Sequence, residues 1–494
     1  MSRPVMSRPH VFPALALLAL ALSGCAIGPD YRRPPINTPA AFKEAAGWRA
    51  AAPADALARG PWWKLYGDPV LDELQQRLER SNQTLAQAEA KYRQALALVQ
   101  GARAAFFPTL NASAGKTRSG QGGGSGGTVR LSDGSTVSSG GSGGIHQSYN
   151  LNFNASWELD LWGKLRRTLE ADKAGLSASA ADLAAARLSL QSQLAQNYLQ
   201  LRVMDAQQRL LDATVAAYAR ALRLTENQYK AGIVTRSDVA QARTQLKSTE
   251  AQVVDLRYQR AQLEHAIAVL VGVPPAEFSL AATDSLPQLP AIPAGLPSQL
   301  LERRPDVASA ERQVMNANAQ IGVAKAAWFP SLTLNAAGGY RSGQFDPWIT
   351  PVNRFWSVGP SFSVPLLDGG LIRSRVRQAE ASYDQTVATY RQTVLDSFRE
   401  VEDYLVKLRV VEEESGVQQE ALDAARESLR LMENRYKGGT VDYNSVIGVQ
   451  TTALSNERSH LTLLGNRLTT SVQLIAALGG GWDGNPPAQT VGRD

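Results

Sequence analysis

Residues 149–161 (YNLNFNASWELDL) alternate between apolar and polar side chains without a miss. Tyr149, Leu151, Phe153, Ala155, Trp157 and Leu159 fall on one face, and Asn150, Asn152, Asn154, Ser156, Glu158 and Asp160 on the other, which is the period of a β-strand. Residues 356–364 (WSVGPSFSV) repeat the pattern, with Trp356, Val358, Phe362 and Val364 opposite Ser357, Gly359, Ser361 and Ser363. Weaker strand signals precede them at 110–114 and 332–336, so the pattern predicts two β-hairpins, over 106–162 and 329–368. Alternation alone fits either a soluble sheet packed on a core or a membrane barrel whose apolar face meets lipid.

After each hairpin the period lengthens. Residues 163–232 and 370–438 are rich in Ala, Leu, Gln and Arg and free of proline, so each predicts a helix of about 100 Å at 1.5 Å per residue. Both are too polar to sit in lipid. Each ends at a glycine-containing turn and is followed by a shorter helical stretch, 237–271 and 442–478. Leu188, Leu194, Tyr198, Leu201 and Leu211 form a stripe on the first long helix that needs partner helices to cover it.

The chain says the same thing twice. Tyr229 to Val239 reads YKAGIVTRSDV and Tyr436 to Val446 reads YKGGTVDYNSV; Phe107-Pro108-Thr109-Leu110 matches Phe329-Pro330-Ser331-Leu332. The first strand pair is the longer one, and its excess falls in 119–144, where 11 of 26 residues are glycine, as expected of a loop at a hairpin tip. The resulting division is a signal segment (1–24), an N-terminal extended segment (25–61), a helix of the first repeat (62–105), the first hairpin (106–162), and a long helix, turn and return helix (163–272). A Pro-rich connection (273–299) follows, then a helix of the second repeat (300–328), the second hairpin (329–368), the second long helix, turn and return helix (369–479) and a tail (480–494). Four strands cannot close a membrane barrel, and open sheet edges are not tolerated in lipid, so a barrel requires several copies.

Composition changes this picture at one end. Arg3, Arg8 and His10 precede a twelve-residue apolar run ending at Leu22, too short to span a bilayer, and Leu22-Ser23-Gly24-Cys25 follows in the manner of a bacterial lipoprotein box. Cys25 is the only cysteine among 494 residues, so no disulfide partner exists and lipidation is the expected role, with N-acyl and diacylglycerol chains, palmitate among them, holding the mature N-terminus at a membrane. Removing Arg3 and Arg8 with the signal lowers the formal charge from +6 to 6 − 2 = +4. The basic residues are scattered among acids along helices, which speaks against nucleic acid as a partner. His146, His265 and His460 show no metal-ligand spacing, and neither a nucleophile elbow nor a phosphate loop is present, so no enzyme, metal or cofactor is expected.

The run Cys25 to Tyr31 (CAIGPDY), Trp62-Trp63 with Tyr66-Gly67-Asp68-Pro69, Leu301 to Val307 (LERRPDV) and Ala317 to Ala326 (ANAQIGVAKA) resemble the TolC-like outer-membrane efflux proteins, in particular the OprM/NodT lipoprotein branch. The resemblance implies a mainly α fold with a membrane β-barrel. A homotrimer would place twelve strands in the outer membrane and twelve helices in a periplasmic α-barrel, with the N-terminal, Pro-rich and C-terminal segments as a belt. It implies an exit duct, a periplasmic adaptor protein and an inner-membrane transporter of the resistance-nodulation-division type as partners, with outer-membrane lipid around the barrel. Alternatives are an exit duct for type I protein secretion and a structural coiled-coil lipoprotein. In this picture Tyr229, Gly232, Tyr436 and Gly439 mark periplasmic tips that receive the adaptor, and Asp238 and Asp442 are gate candidates. Both acids also have capping roles open to them, Asp238 with Thr235 and Asp442 at the start of the returning helix. Ser445 and Gly448 stand where some relatives carry acids.

Overall fold

The computed structural model describes residues 26–45, 61–120, 128–130, 136–138, 145–290 and 303–481. The signal segment, Cys25, most of the glycine-rich loop and nearly all of the C-terminal tail lie outside them. In chain order the elements are α1 (Pro69–Ser81), α2 (Gln83–Ala104), β1 (Thr109–Gly120), β2 (Thr128–Arg130), β3 (Thr136–Ser138), β4 (Ile145–Leu159), α3 (Lys164–Lys230) and α4 (Arg236–Leu270). The second half holds α5 (Pro305–Ala326), β5 (Ser331–Ser342), β6 (Arg354–Ser363), α6 (Leu371–Lys437) and α7 (Tyr443–Ala477). The repeat is exact in length: α3 and α6 have 67 residues each, α4 and α7 have 35 each, and both pairs are offset by 371 − 164 = 443 − 236 = 207 residues.

Two compact units divide the chain, one from residues 1–32, 96–175 and 315–385, the other from 33–95, 176–314 and 386–494. The first is built on an antiparallel sheet of order β1-β4-β5-β6, while β2 and β3 pair as a small ribbon. The two hairpins are joined by an eleven-residue β4–β5 ladder from Tyr149↔Ser342 to Leu159↔Leu332, which hairpin signals do not reveal because the partners are far apart in sequence. Both strands carry their apolar residues at matching positions, Leu151 opposite Tyr340 and Trp157 opposite Leu334, so one face stays apolar across the sheet. Asp160 is not part of the polar strand face: β4 stops at Leu159, and the Asp160 carboxylate accepts from the backbone N–H groups of Leu165 (3.0 Å) and Arg166 (2.9 Å), satisfying orphan donors at the start of α3.

In the same unit the residues just after Cys25 are fixed at the foot of the strands. The Ile27 N–H donates to Trp162 O at 3.1 Å, and the Arg167 guanidinium donates to Gly28 O at 3.3 Å and Asp30 Oδ1 at 2.9 Å. Gly28 adopts φ +111°, and a Cβ there would lie 2.5 Å from Gly322 Cα, so both glycines of the CAIGPDY and ANAQIGVAKA motifs serve one close backbone approach.

The second unit is helical. Its main core gathers Trp62, Tyr66, Leu71 and Leu78 with Leu194, Tyr198 and Leu201 of α3, Ile267 of α4 and Leu468 and Val472 of α7. The stripe predicted on α3 is buried at Leu194, Tyr198, Leu201 and Leu211, while Leu188 is partly covered. Each such side chain contributes roughly 1.5–3 kcal/mol of burial.

The span 62–105 is not one helix. A 3-10 turn over Trp62–Tyr66 ends at Gly67 in the left-handed region, Asp68 caps α1 by accepting from Val70 and Leu71 N–H groups, and α1 breaks from α2 at Asn82. Asn82 is extended there because its Oδ1 caps α2 through Leu85 N (2.8 Å) while its Nδ2 donates to Leu270 O (2.8 Å) at the end of α4. The second repeat builds the same junction with arginine: Arg304 donates to Ala477 O at the end of α7 (3.1 Å), to Glu400 Oε2 (2.8 Å) and to both oxygens of Asp306 (3.0 and 2.7 Å). Short helices therefore abut long hairpin arms head to tail.

The described part of the Pro-rich connection is held by ions. Arg202 and Arg260 share the buried Asp205 carboxylate at 3.0 and 2.7 Å and donate onward to Ala281 O and Leu280 O.

Candidate functional site

Both predicted tips are built to one plan. At the first, the Gly232 N–H donates to Tyr229 O and the Ile233 N–H to Gln228 O, each at 2.9 Å, with Gly232 at φ +75°. At the second, Gly439 N–H donates to Tyr436 O (2.9 Å) and Thr440 N–H to Arg435 O (3.0 Å), with Gly439 at φ +71°. These are Schellman turns, in which glycine takes the left-handed position at no side-chain cost.

The returning helices start with caps whose parts are exchanged. In the first, Thr235 is the N-cap: the Asp238 N–H donates to Thr235 Oγ1 (3.3 Å), and Asp238 Oδ2 accepts from the Thr235 N–H and hydroxyl, both at 2.8 Å. In the second, Asp442 is the N-cap and accepts from the Ser445 N–H (3.0 Å) and from the Ser445 hydroxyl. Thr235 and Asp238 thus correspond to Asp442 and Ser445, 207 residues on. Each turn keeps one carboxylate, moved by three residues, and the acid missing at Ser445 reappears at Asp442. The Ser445 hydrogen bonds hold the Asp442 carboxyl below its ordinary value of 3.8.

The two tyrosines part company. Tyr436 donates its hydroxyl to Gln228 Oε1 (2.9 Å) and packs its ring 5.6 Å from Tyr443, tying the second turn to α3 of the first hairpin. Ala242, Val446 and Ile447 complete this small core, and burial pushes the Tyr443 hydroxyl up to about 12. Tyr229 and Ile233 instead stay exposed, Ile233 at 71%, and leave an apolar pair on the surface of the first turn. Sequence reading missed Ile233 because a lone apolar residue in a turn carries no periodic signal.

The four-stranded sheet lies in the other unit. Cross-strand pairs put Leu110, Phe153, Trp157, Leu334, Trp356, Val358 and Phe362 on one face, and all are exposed, Trp356 and Val358 at 74%. That exposure decides between the two readings of the alternation: no core among the described residues covers the apolar face, so it is suited to lipid. Asn111 opposite Asn154 and Ser113 opposite Asn152 line the other face with amides and hydroxyls. Within the described residues no helix is long and apolar enough to cross a membrane, and no group of three or more His, Cys, Asp or Glu could hold a metal ion.

The profile of a family described as "Outer membrane efflux protein" matches residues 74–273 and 296–480. The chain is 34% identical to the pyoverdine export outer membrane protein OpmQ of Pseudomonas aeruginosa over 441 residues, covering 88% of this chain and 90% of that one. It is 32% identical to the toluene efflux pump outer membrane protein TtgF of Pseudomonas putida over 476 residues, covering 94% and 96%. Among solved structures it is similar to the outer-membrane channel OprN, with a TM-score of 0.81 and 30% identity over 93% of this chain and 100% of that chain.

Proposed function

Because the chain belongs to the outer membrane efflux protein family, we propose that three copies form a passive exit duct that conducts small molecules across the outer membrane and catalyses no reaction. The observation that carries this reading is the exposed apolar face of a four-stranded sheet whose edges, β1 and β6, have no partner strand among the described residues. Open edges in lipid cost several kcal/mol per unpaired group, so β1 of one copy must pair with β6 of the next. Two copies would give about eight strands, whose lumen side chains fill; three leave a water-filled passage.

The helical hairpins belong to the periplasmic side. Their turns receive a periplasmic adaptor, with Tyr229 and Ile233 as its apolar contact, and the adaptor joins an inner-membrane transporter that supplies the energy. The Asp238 and Asp442 carboxylates are the groups assigned to narrowing the tube at that end. Cys25 carries the lipid anchor, a role supported by the clamp on Ile27, Gly28 and Asp30 beside the end of β4; acyl labelling that survives Cys25→Ser would contradict it. The cargoes in the relatives' names, toluene and pyoverdine, support small molecules over proteins. Deleting the gene in cells that keep the transporter should raise accumulation of a small hydrophobic dye several-fold and leave secreted proteins unchanged. Loss of a secreted protein with unchanged dye accumulation would move the reading to protein secretion.

A further inference from the structure

The apolar face of the sheet does not stay apolar to its end. On β1 the face that carries Leu110, Ala112 and Ala114 continues as Lys116 and Arg118. On β6 the face of Phe362, Pro360, Val358 and Trp356 ends at Arg354, paired with Tyr340. All three cations lie at the end of the sheet remote from α2 and α3, beside the β1–β4 and β5–β6 loops.

A ring of aromatic side chains sits at the same level. Tyr149, the cross-strand partner of Lys116, has its ring 5.4 Å from Phe345 and 6.1 Å from Trp348, and Lys116 Nζ lies 5.2 Å from the Tyr149 centroid. Trp157 marks the other border on β4, its indole N–H donating to Phe106 O at 2.9 Å. Eight residues of strand separate Tyr149 from Trp157, about 26 Å at 3.3 Å per residue and about 20 Å once tilted, close to the hydrocarbon height of such barrels. Lys116 and Arg118 therefore stand at and just beyond the outer border, and Arg354, level with Tyr340 and Leu151, stands one same-face position inside it, from where its long side chain reaches the depth of lipid headgroups.

Their pairing sets them apart from the cations at the opposite border. There Lys164 pairs with Glu158 at 3.1 Å and Arg166 with Asp160 at 3.1 Å. At the outer border no Asp or Glu lies on this face of β1, β4, β5 or β6, and neither Arg118 nor Arg354 has an ion-pair partner among the described residues. Cations facing lipid with no protein anion need an anion from the membrane, and phosphate is the one present at headgroup depth.

We propose that Lys116, Arg118 and Arg354 form a phosphate-binding girdle for the phosphorylated glycolipid of the outer leaflet. The proposal rests on the barrel reading, in which closure sets β1 of one copy beside β6 of the next, so each seam brings the two basic residues of one strand next to Arg354 of its neighbour. One basic residue would act as a point charge; three on adjacent strands can hold the two phosphates of a bis-phosphorylated glucosamine headgroup.

The test uses full-length protein purified in detergent, titrated with bis-phosphorylated glucosamine lipid, its dephosphorylated form, or phosphatidylglycerol, with bound lipid counted by native mass spectrometry. The phosphorylated glycolipid should bind tightest, and the triple variant Lys116→Gln, Arg118→Gln, Arg354→Gln should weaken it roughly 100-fold, at roughly fivefold per cation. The exchange Lys116→Arg, Arg118→Lys, Arg354→Lys should retain binding, and single glutamine variants give the fivefold steps if the triple fails to assemble. Unchanged affinity in the triple variant, or equal affinity for the dephosphorylated lipid or phosphatidylglycerol, would overturn the proposal. Ion conductance of the same preparations separates this outcome from failure of the barrel reading, since the girdle can fail while the channel conducts.

Discussion

Asp238 and Asp442 show one physical requirement met by two sequences. A helix start leaves N–H groups without partners, and a hydroxyl with a carboxylate three residues away satisfies them in either order. Thr235→Ala should cost about 1 kcal/mol of local stability, read as faster amide exchange over the first turn of α4, and Asp442→Ala should likewise speed exchange over the first turn of α7. Asp442 adds a pH dependence. Its folded-state carboxyl titrates below 3.8, so its contribution is complete above that value and is lost as pH falls through the lowered one. Exchange at residues 443–446 should therefore speed up in acid below 3.8 in the natural protein, and Asp442→Asn should flatten that dependence. A pH profile unchanged by Asp442→Asn would remove the carboxylate from the cap.

At the scale of elements, the head-to-tail junctions separate glycines that look alike in sequence. A Cβ on Gly272 would lie 2.2 Å from Ser81 O, and one on Gly479 2.3 Å from Arg303 O, both backbone atoms that cannot swing away. A Cβ on Gly232 or Gly439 meets nothing within 4 Å. All four have positive φ, so alanine at the tips should cost only about 1–2 kcal/mol of left-handed strain. Gly272→Ala or Gly479→Ala adds a backbone clash and should lower Tm by clearly more than Gly232→Ala; equal shifts would mean that the junctions are loosely packed.

The sequence was most legible where a period runs long. Alternation from Tyr149 to Leu159 and the proline-free stretches gave strands and helices within a few residues of those observed. The junctions stayed hidden, because Asn82 meets Leu270 and Arg304 meets Ala477 only after both hairpins have folded. Asp205 likewise gives no sign that it holds Arg260, since that partner lies on another helix. At the tips the caps were readable from Thr235 with Asp238, whereas the inward turn of Tyr436 and the exposure of Tyr229 depend on packing between hairpins.

For the whole molecule, the decisive facts are an apolar sheet face that nothing covers and two sheet edges that nothing pairs, both among the described residues. Neither is tolerable in an isolated chain in lipid, and closure among copies removes both. Helices rich in charge then belong outside the bilayer, which accords with the absence of any membrane-spanning helix among the described residues. Single-channel recording of the purified full chain in planar lipid bilayers tests this closure. Discrete conductance steps of uniform size are expected, from particles whose mass corresponds to three chains. Protein that inserts or binds yet passes no current, or that conducts as a single chain, would contradict a duct built from three copies.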